Sequence, residues 1–333
     1  MAIFGEQLTT GSDSKITVGI SGCLDGQPIR FDGGRLKCAA LAAAPLKDFL
    51  TEPFCPEVAV GLGVPREPLR VVGTDRGLRV GTKDDADHDL TGAVTGFGQT
   101  MLERACHWYG MIVAGGSPSC GMERVKRCSA RGGILARDGQ GVYTAALRKY
   151  LPWLPVEEQG RLDDHEIRKN FLNRVHVCFR WRALNKQGLS AEKLLGFHRQ
   201  HKILVLAHSP QAYKKFGKLV ANLKADTLAN IASNYFIELM AALEQKATVG
   251  RHTNVLQHMQ GYLKDFLDDS DKRELTERIT LYRQGKSLLE APVALLWRHL
   301  RRSSDNYMQN QYYFFLLERG QIDAEHSLPQ VTL

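Results

Sequence analysis

The hydrophobic period changes once along the chain, and that change limits the possible folds more than any other feature. Before about residue 160, short apolar or β-branched runs alternate with longer stretches of helical character. Lys15-Ile-Thr-Val-Gly-Ile20 reads as a strand, as do Val71-Val72, Leu78-Arg-Val80 and Gly110-Met-Ile-Val-Ala114. Leu36 to Leu50 and Ala93 to Trp108 read as helices, with a loop at Thr51-Glu52-Pro53. Strands alternating with helices imply an α/β domain, a mostly parallel sheet with flanking helices. Beyond that point the period is helical. Leu228, Ile231, Ala232, Tyr235, Phe236 and Leu239 follow the i, i+3, i+4, i+7 rule, and so do Val255, Leu256, Met259 and Tyr262. Ile203-Leu-Val-Leu206 fits a strand or a buried helix, and Ser270 followed by Glu274 and Glu277 marks a helix start. The second part is an all-α domain on this reading. Gly and Ser punctuate the junction Lys186-Gln-Gly-Leu-Ser190. The expected organisation is a loose tail at 1–14, an α/β domain at 15–187 and a helical domain at 188–333.

With 43% hydrophobic and 24% charged residues, the chain has the balance of a folded globular protein rather than a disordered one. No apolar run approaches the roughly 20 residues of a membrane span. The Met1-Ala-Ile-Phe-Gly-Glu-Gln7 start lacks a basic segment followed by an apolar block, so a cytoplasmic location without membrane association is expected. Lys and Arg number 44 against 36 Asp and Glu, a net charge of +8. Residues 188–333 hold 19 of the basic and 15 of the acidic side chains, so both parts carry the excess and the shorter part carries it more densely. Such a surface suits a polyanion. Lys214, Lys215 and Lys218 on adjacent helical positions, Arg251 ahead of a helix, and Arg298, Arg301 and Arg302 are the candidate phosphate contacts. The plainer reading of each is a solvated helix face. His198, His201 and His208 share a helical face, with no accompanying carboxylate pattern to argue for a metal. Tyr312-Tyr-Phe-Phe315 reads as core.

The seven cysteines are odd in number and include no Cys-x-x-Cys pair, which argues against a disulfide scaffold or a zinc ribbon. Three of them stand in loops. Cys23 and Cys120 each follow a strand, where open α/β sheets gather ligands, and both lie among small residues that let a bulky group approach the backbone. Cys55 opens Cys55-Pro-Glu57 in a Pro-rich stretch. These three are candidate metal ligands; Cys106, Cys128 and Cys178 lack that setting. Glu57, Ser117 and Ser119 lie within three residues of the loop thiols. Glu57 also reads as an ion-pair partner of Arg66, and the serines beside Pro118 as turn formers.

Ile20-Ser-Gly-Cys23-Leu-Asp-Gly with Ile29-Arg-Phe-Asp-Gly-Gly34, Cys55-Pro-Glu57 and Ser117-Pro-Ser-Cys-Gly121 resemble the signature blocks of the thiouracil desulfidase family. Val156-Glu-Glu-Gln-Gly-Arg-Leu-Asp-Asp164, with Arg168-Lys-Asn-Phe171 and Arg174, is similar to the closing segment of that domain. Two positions depart from the pattern: Gly22 stands where Ala is commoner, and Phe31 where Tyr is usual. His201 to Ser209, Asn254 to Tyr262 and Tyr282-Arg-Gln-Gly285 resemble a helical YbgA-type domain. The fusion is similar to bacterial desulfidases that act on 4-thiouridine in transfer RNA.

The resemblance implies a [4Fe–4S] cluster held by Cys23, Cys55 and Cys120, with one iron open to a soft sulfur ligand. It also implies Glu57 as the general base, with Ser117, or else Ser119, placing a water. The expected function is redox-neutral desulfuration of 4-thiouridine in transfer RNA, yielding uridine and sulfide, with no obligate protein partner. The alternatives are the same chemistry on free thiouracil or a thionucleoside, and a non-enzymatic nucleic-acid binder with a structural or redox-sensing cluster.

Overall fold

The computed structural model describes residues 15–36, 38–42, 46–74, 77–82, 89–129, 132–221, 223, 227–304 and 306–314. The tail at 1–14, Lys83 and Phe315 lie outside the described residues. The chain divides between Arg180 and Trp181 into two compact units. The division falls inside a long helix, ahead of the Lys186–Ser190 junction, which forms the turn after that helix.

The first unit runs β1 (Thr17–Ser21), α1 (Ala39–Ala42), β2 (Leu50–Phe54), α2 (Pro56–Ala59), β3 (Leu69–Thr74), β4 (Gly77–Thr82), α3 (Thr91–Thr100), α4 (Leu102–Ala105), β5 (Gly110–Val113), β6 (Val125–Cys128), β7 (Ile134–Gly139), α5 (Val142–Tyr150) and β8 (Val156–Glu158). One sheet has the order β2-β1-β5-β8 and is parallel throughout, as Thr17↔Leu50, Val18↔Gly110 and Met111↔Val156 show. Apart from Thr17 at the start of β1, its central strands are buried, as parallel strands covered on both faces must be. A second sheet, β4-β3-β6-β7, is built from two antiparallel hairpins joined by the parallel β3–β6 pair.

Several sequence expectations need correcting. Thr51-Glu52-Pro53 belongs to β2 rather than a loop, because β2 is an edge strand and tolerates proline there. Among the described residues of Leu36 to Leu50, Ala39–Ala42 are α-helical and Leu46–Asp48 form a 3-10 turn. Strands β6, β7 and β8 carry charged residues that hide them from an apolar-run search.

Gly19 is fixed by packing. A Cβ there would lie 2.3 Å from the Trp108 ring. Trp108 stacks on Phe54 at 5.4 Å, Phe54 meets Tyr143 at 5.0 Å, and the indole N–H donates to Glu52 at 2.6 Å.

The second unit takes up the end of α6 (His165–Lys186) and continues through α7 (Ala191–His208), α8 (Pro210–Ala221), α9 (Leu228–Glu244), α10 (Val249–Tyr262), α11 (Asp269–Arg283), α12 (Glu290–Arg302) and α13 (Asn306–Gln309). Ser190, Thr248 and Asp268 cap α7, α10 and α11 by accepting a backbone N–H three residues on. The α11 cap is thus Asp268, not Ser270, and Arg251 lies inside α10 rather than ahead of it. Ile203 to Leu206 is helical, within α7. Leu256, Met259, Leu275, Leu296 and Phe314 centre one core, and Trp181 stacks on Phe236 at 4.7 Å. Tyr312 and Phe314 are fully buried.

His198, His208 and His252 are buried, and each is tied through Nδ1, respectively to the Tyr235 hydroxyl, the Gln245 carbonyl and the Tyr313 hydroxyl. His201 Nδ1 meets the Phe197 carbonyl at 2.7 Å. These are packing histidines.

Candidate iron–sulfur active site

The loop after β1 carries Cys23, the end of β2 leads into Cys55, and the loop after β5 carries Cys120. These three strands are neighbours in the parallel sheet, so their carboxyl ends share one edge. All three thiols are free; Cys23 and Cys55 are partly exposed and Cys120 is buried. Burial pushes each thiol pKa up, and the charges of the others add to it: Cys55 acts on Cys23 and on Cys120, and Cys23 on Cys120. For Cys55, burial leads, backbone N–H groups of Val58 and Glu57 oppose it, and the Glu57 carboxylate adds to it. Three soft sulfur donors grouped on one sheet edge, deprotonated on binding, are the ligand type that iron–sulfur clusters take. The donor set therefore fits an iron–sulfur cluster.

Two residues hold Glu57 in place. Its Oε2 accepts from Arg66 Nε at 2.8 Å and lies 2.7 Å from Arg66 Nη2. Its Oε1 accepts from the Ser119 hydroxyl at 2.9 Å. Arg66 also donates to the Ile29 carbonyl, at 3.0 Å, and to the Gly63 carbonyl, at 3.2 Å. Arg66 is therefore a buried partner of Glu57.

The two serines have separate tasks. Ser117 Oγ accepts the backbone N–H of Ser119 at 3.3 Å and of Cys120 at 3.1 Å, which fixes the turn carrying the thiol. Ser119 is fully buried and faces Glu57. The loop is packed closely: a Cβ on Gly121 would meet the Ser117 carbonyl at 2.9 Å. Thr144 donates to the Cys120 carbonyl at 2.6 Å.

Sequence reasoning missed Ser21 and Glu158. Ser21 Oγ accepts the Ala114 N–H at 3.1 Å and, beside the Cys120 thiol, opposes the rise that burial gives its pKa. Glu158 Oε1 accepts from the backbone of Met122 at 2.8 Å and of Glu123 at 3.3 Å, anchoring the chain just past Cys120. Both lie in blocks that carry the family resemblance, and only the fold shows their targets. Arg30 pairs with Asp32 at 3.3 Å, and Asp32 accepts the Gly34 N–H at 2.9 Å, closing a turn.

The basic candidates are dispersed. Lys214, Lys215 and Lys218 are exposed on α8, with Lys215 paired to Glu238 at 2.7 Å. Arg251 donates to the His208 carbonyl. Arg298 lies 3.6 Å from Glu274, and Arg301 and Arg302 close α12, where they complement its dipole. No helix among the described residues is long and apolar enough to cross a membrane.

Residues 18–159 match the family model described as 2-thiouracil desulfurase, and residues 202–316 match the one described as a protein of unknown function, DUF1722. The uncharacterized protein YbgA of Escherichia coli (strain K12) is 31% identical over 169 residues, which cover 50% of this chain and 96% of that protein. A solved [4Fe-4S]-dependent thiouracil desulfidase, TudS, is 30% identical, with a TM-score of 0.34 over 45% of this chain and 94% of its own. The chain belongs to the YbgA family, and it joins an N-terminal 2-thiouracil desulfurase domain to a DUF1722 region.

Proposed function

We propose that the α/β unit hydrolyses the C–S bond of a thiolated uracil at a [4Fe–4S] cluster held by Cys23, Cys55 and Cys120. The observation that carries this reading is the convergence of three loop thiols on one sheet edge beside a carboxylate held by Ser119 and Arg66. When bound, the cluster supplies an iron without a protein ligand, a soft Lewis acid for a thiocarbonyl sulfur. Glu57 is the group that takes the proton of the attacking water through Oε1. Ser119 orients that oxygen, and Arg66 fixes the other. Water oxygen replaces sulfur on the ring carbon, sulfide leaves with the protons, and no electron is gained or lost.

The family description names thiouracil, so free thiolated uracil is the leading substrate. A second reading places the thiolated base in transfer RNA as 4-thiouridine. Its support is the excess of 19 basic over 15 acidic side chains in residues 188–333, fused to the desulfurase domain. The test is anaerobic incubation of cluster-loaded protein with 2-thiouracil, with 4-thiouridine and with thiolated transfer RNA. Sulfide release and nucleoside analysis read the outcome. Turnover of the free compounds alone selects the first reading; turnover of transfer RNA, with affinity falling steeply in salt, selects the second. No sulfide from any of them would overturn both.

A further inference from the structure

We propose that the helical unit holds a divalent transition-metal ion of the zinc class between α11 and α12, on Asp271, Glu274 and His299. Asp271 and Glu274 stand at i and i+3 on α11, so they share one face. His299 reaches the same point from α12, and one ligand atom of each residue lies within 4.8 Å of the others. The imidazole is the second observation. His299 is 1% exposed, and neither of its ring nitrogens has a hydrogen-bond partner among the described residues. His198, His208 and His252 in the same unit each have a bonded Nδ1. A buried nitrogen without a partner needs a reason.

The geometry supplies one. His299 Nδ1 stands 3.7 Å from Asp271 Oδ2, too far for a hydrogen bond. Two ligand atoms about 2.0–2.2 Å from one ion at a tetrahedral angle stand about 3.3–3.6 Å apart, so a small closure brings both onto a shared ion. Two carboxylates balance the charge of a divalent ion, and the half-buried setting leaves a fourth position for water. The Arg298 guanidinium, 3.6 Å from Glu274, is a surface contact of little strength. Nitrogen and oxygen donors select a borderline ion over the soft centre suited to the thiol site. Such an ion pins α11 to α12, and it is independent of the desulfuration reading.

The experiment uses the full chain with its cluster assembled anaerobically, so that the three loop thiolates are occupied. After dialysis against a weak chelator, zinc alone is titrated in. One equivalent is expected to bind and raise the Tm. Its X-ray absorption should show only N/O neighbours at about 2.0–2.2 Å, without sulfur at about 2.3 Å. Asp271→Asn/Glu274→Gln, at half-exposed positions that leave the core intact, should weaken zinc at least about 100-fold while iron content and helical signal stay unchanged. His299→Gln should do the same. Failure to bind the equivalent, a sulfur shell, or undiminished binding by the double variant would each overturn the proposal.

Discussion

Replacing Ser119 and Ser117 by alanine, one at a time, should produce two different defects. The Ser119 hydroxyl donates to the Glu57 carboxylate at 2.9 Å, a hydrogen bond to a charged group. Such bonds are worth about 1.5–3 kcal/mol. If that energy is expressed only while Glu57 handles the water proton, Ser119→Ala loses about 10- to 150-fold in kcat/KM. Iron content should hold and Tm should fall by no more than the loss of one buried hydrogen bond, because nothing else in the cradle rests on that hydroxyl. Ser117 instead accepts two backbone N–H groups, at 3.1 and 3.3 Å, in the turn before the buried thiol. Two neutral bonds of about 0.5–1.5 kcal/mol each hold that turn, so Ser117→Ala should lower cluster retention and Tm first, with turnover per cluster close to normal. The assay is sulfide release per cluster-bound iron under anaerobic conditions, read beside a thermal melt. Loss of turnover per iron in Ser117→Ala, with Ser119→Ala active, would show the division of roles to be wrong.

Cys23→Ala, Cys55→Ala and Cys120→Ala should each abolish the brown chromophore and bound iron, whereas Cys106→Ala and Cys178→Ala should keep both, as iron and sulfide analysis will show. Glu57→Gln should retain the cluster yet lose about 10²- to 10⁴-fold in turnover, measured by the same sulfide assay; full activity would remove Glu57 from the reaction. Gly19→Ala forces a Cβ into the Trp108 ring and should cost about 1–3 kcal/mol by chemical denaturation. Burial, and then Lys202, push the His198 pKa down to about 4 from 6.5; between these values the unfolded chain binds a proton that the native chain refuses. Stability therefore falls by up to about 3 kcal/mol as pH drops through that window and levels off below it, and His198→Gln should remove this share of the slope in denaturant titrations.

The sequence showed the thiols and the fold class because both depend on local pattern. A strand ending in a glycine-flanked cysteine is visible residue by residue, and so is an amphipathic helix. What escaped depends on partners distant in the chain. Strand β2 was hidden by Pro53, which an edge position accepts opposite Ile20. In β6, Lys126 and Arg127 break the apolar run, and only the ends Val125 and Cys128 are buried. Asp268, Asp269 and Ser270 are all cap formers, and only the helix direction selects the first. Arg66 against Glu57 was legible as an ion pair or as chemistry, and the structure makes the ion pair without removing Glu57 from the site. Where the Ser117 and Ser119 hydroxyls point, toward the turn and toward Glu57, is likewise something spacing does not encode.

The placement of the thiols follows from strand order. In a parallel sheet all carboxyl ends lie on one edge, and β2, β1 and β5 are consecutive there. Neighbouring strands stand about 4.8 Å apart, so the outer two ends lie about 10 Å apart. That span suits a cuboidal cluster better than a lone ion, whose thiolates sit only about 2.3 Å from it. The loops are then tied across the sheet. Gly22 N–H donates to the Phe54 carbonyl at 2.7 Å, joining the Cys23 loop to the strand before Cys55. Ser21 holds Ala114, joining β1 to the start of the third loop. Arg66 returns to Ile29 and to Phe31 while holding Glu57. Each thiol loop is thus fixed by a neighbour that carries another thiol or the carboxylate. A shift of any one strand by a single residue would turn its side chains to the opposite face and break the site in more than one place.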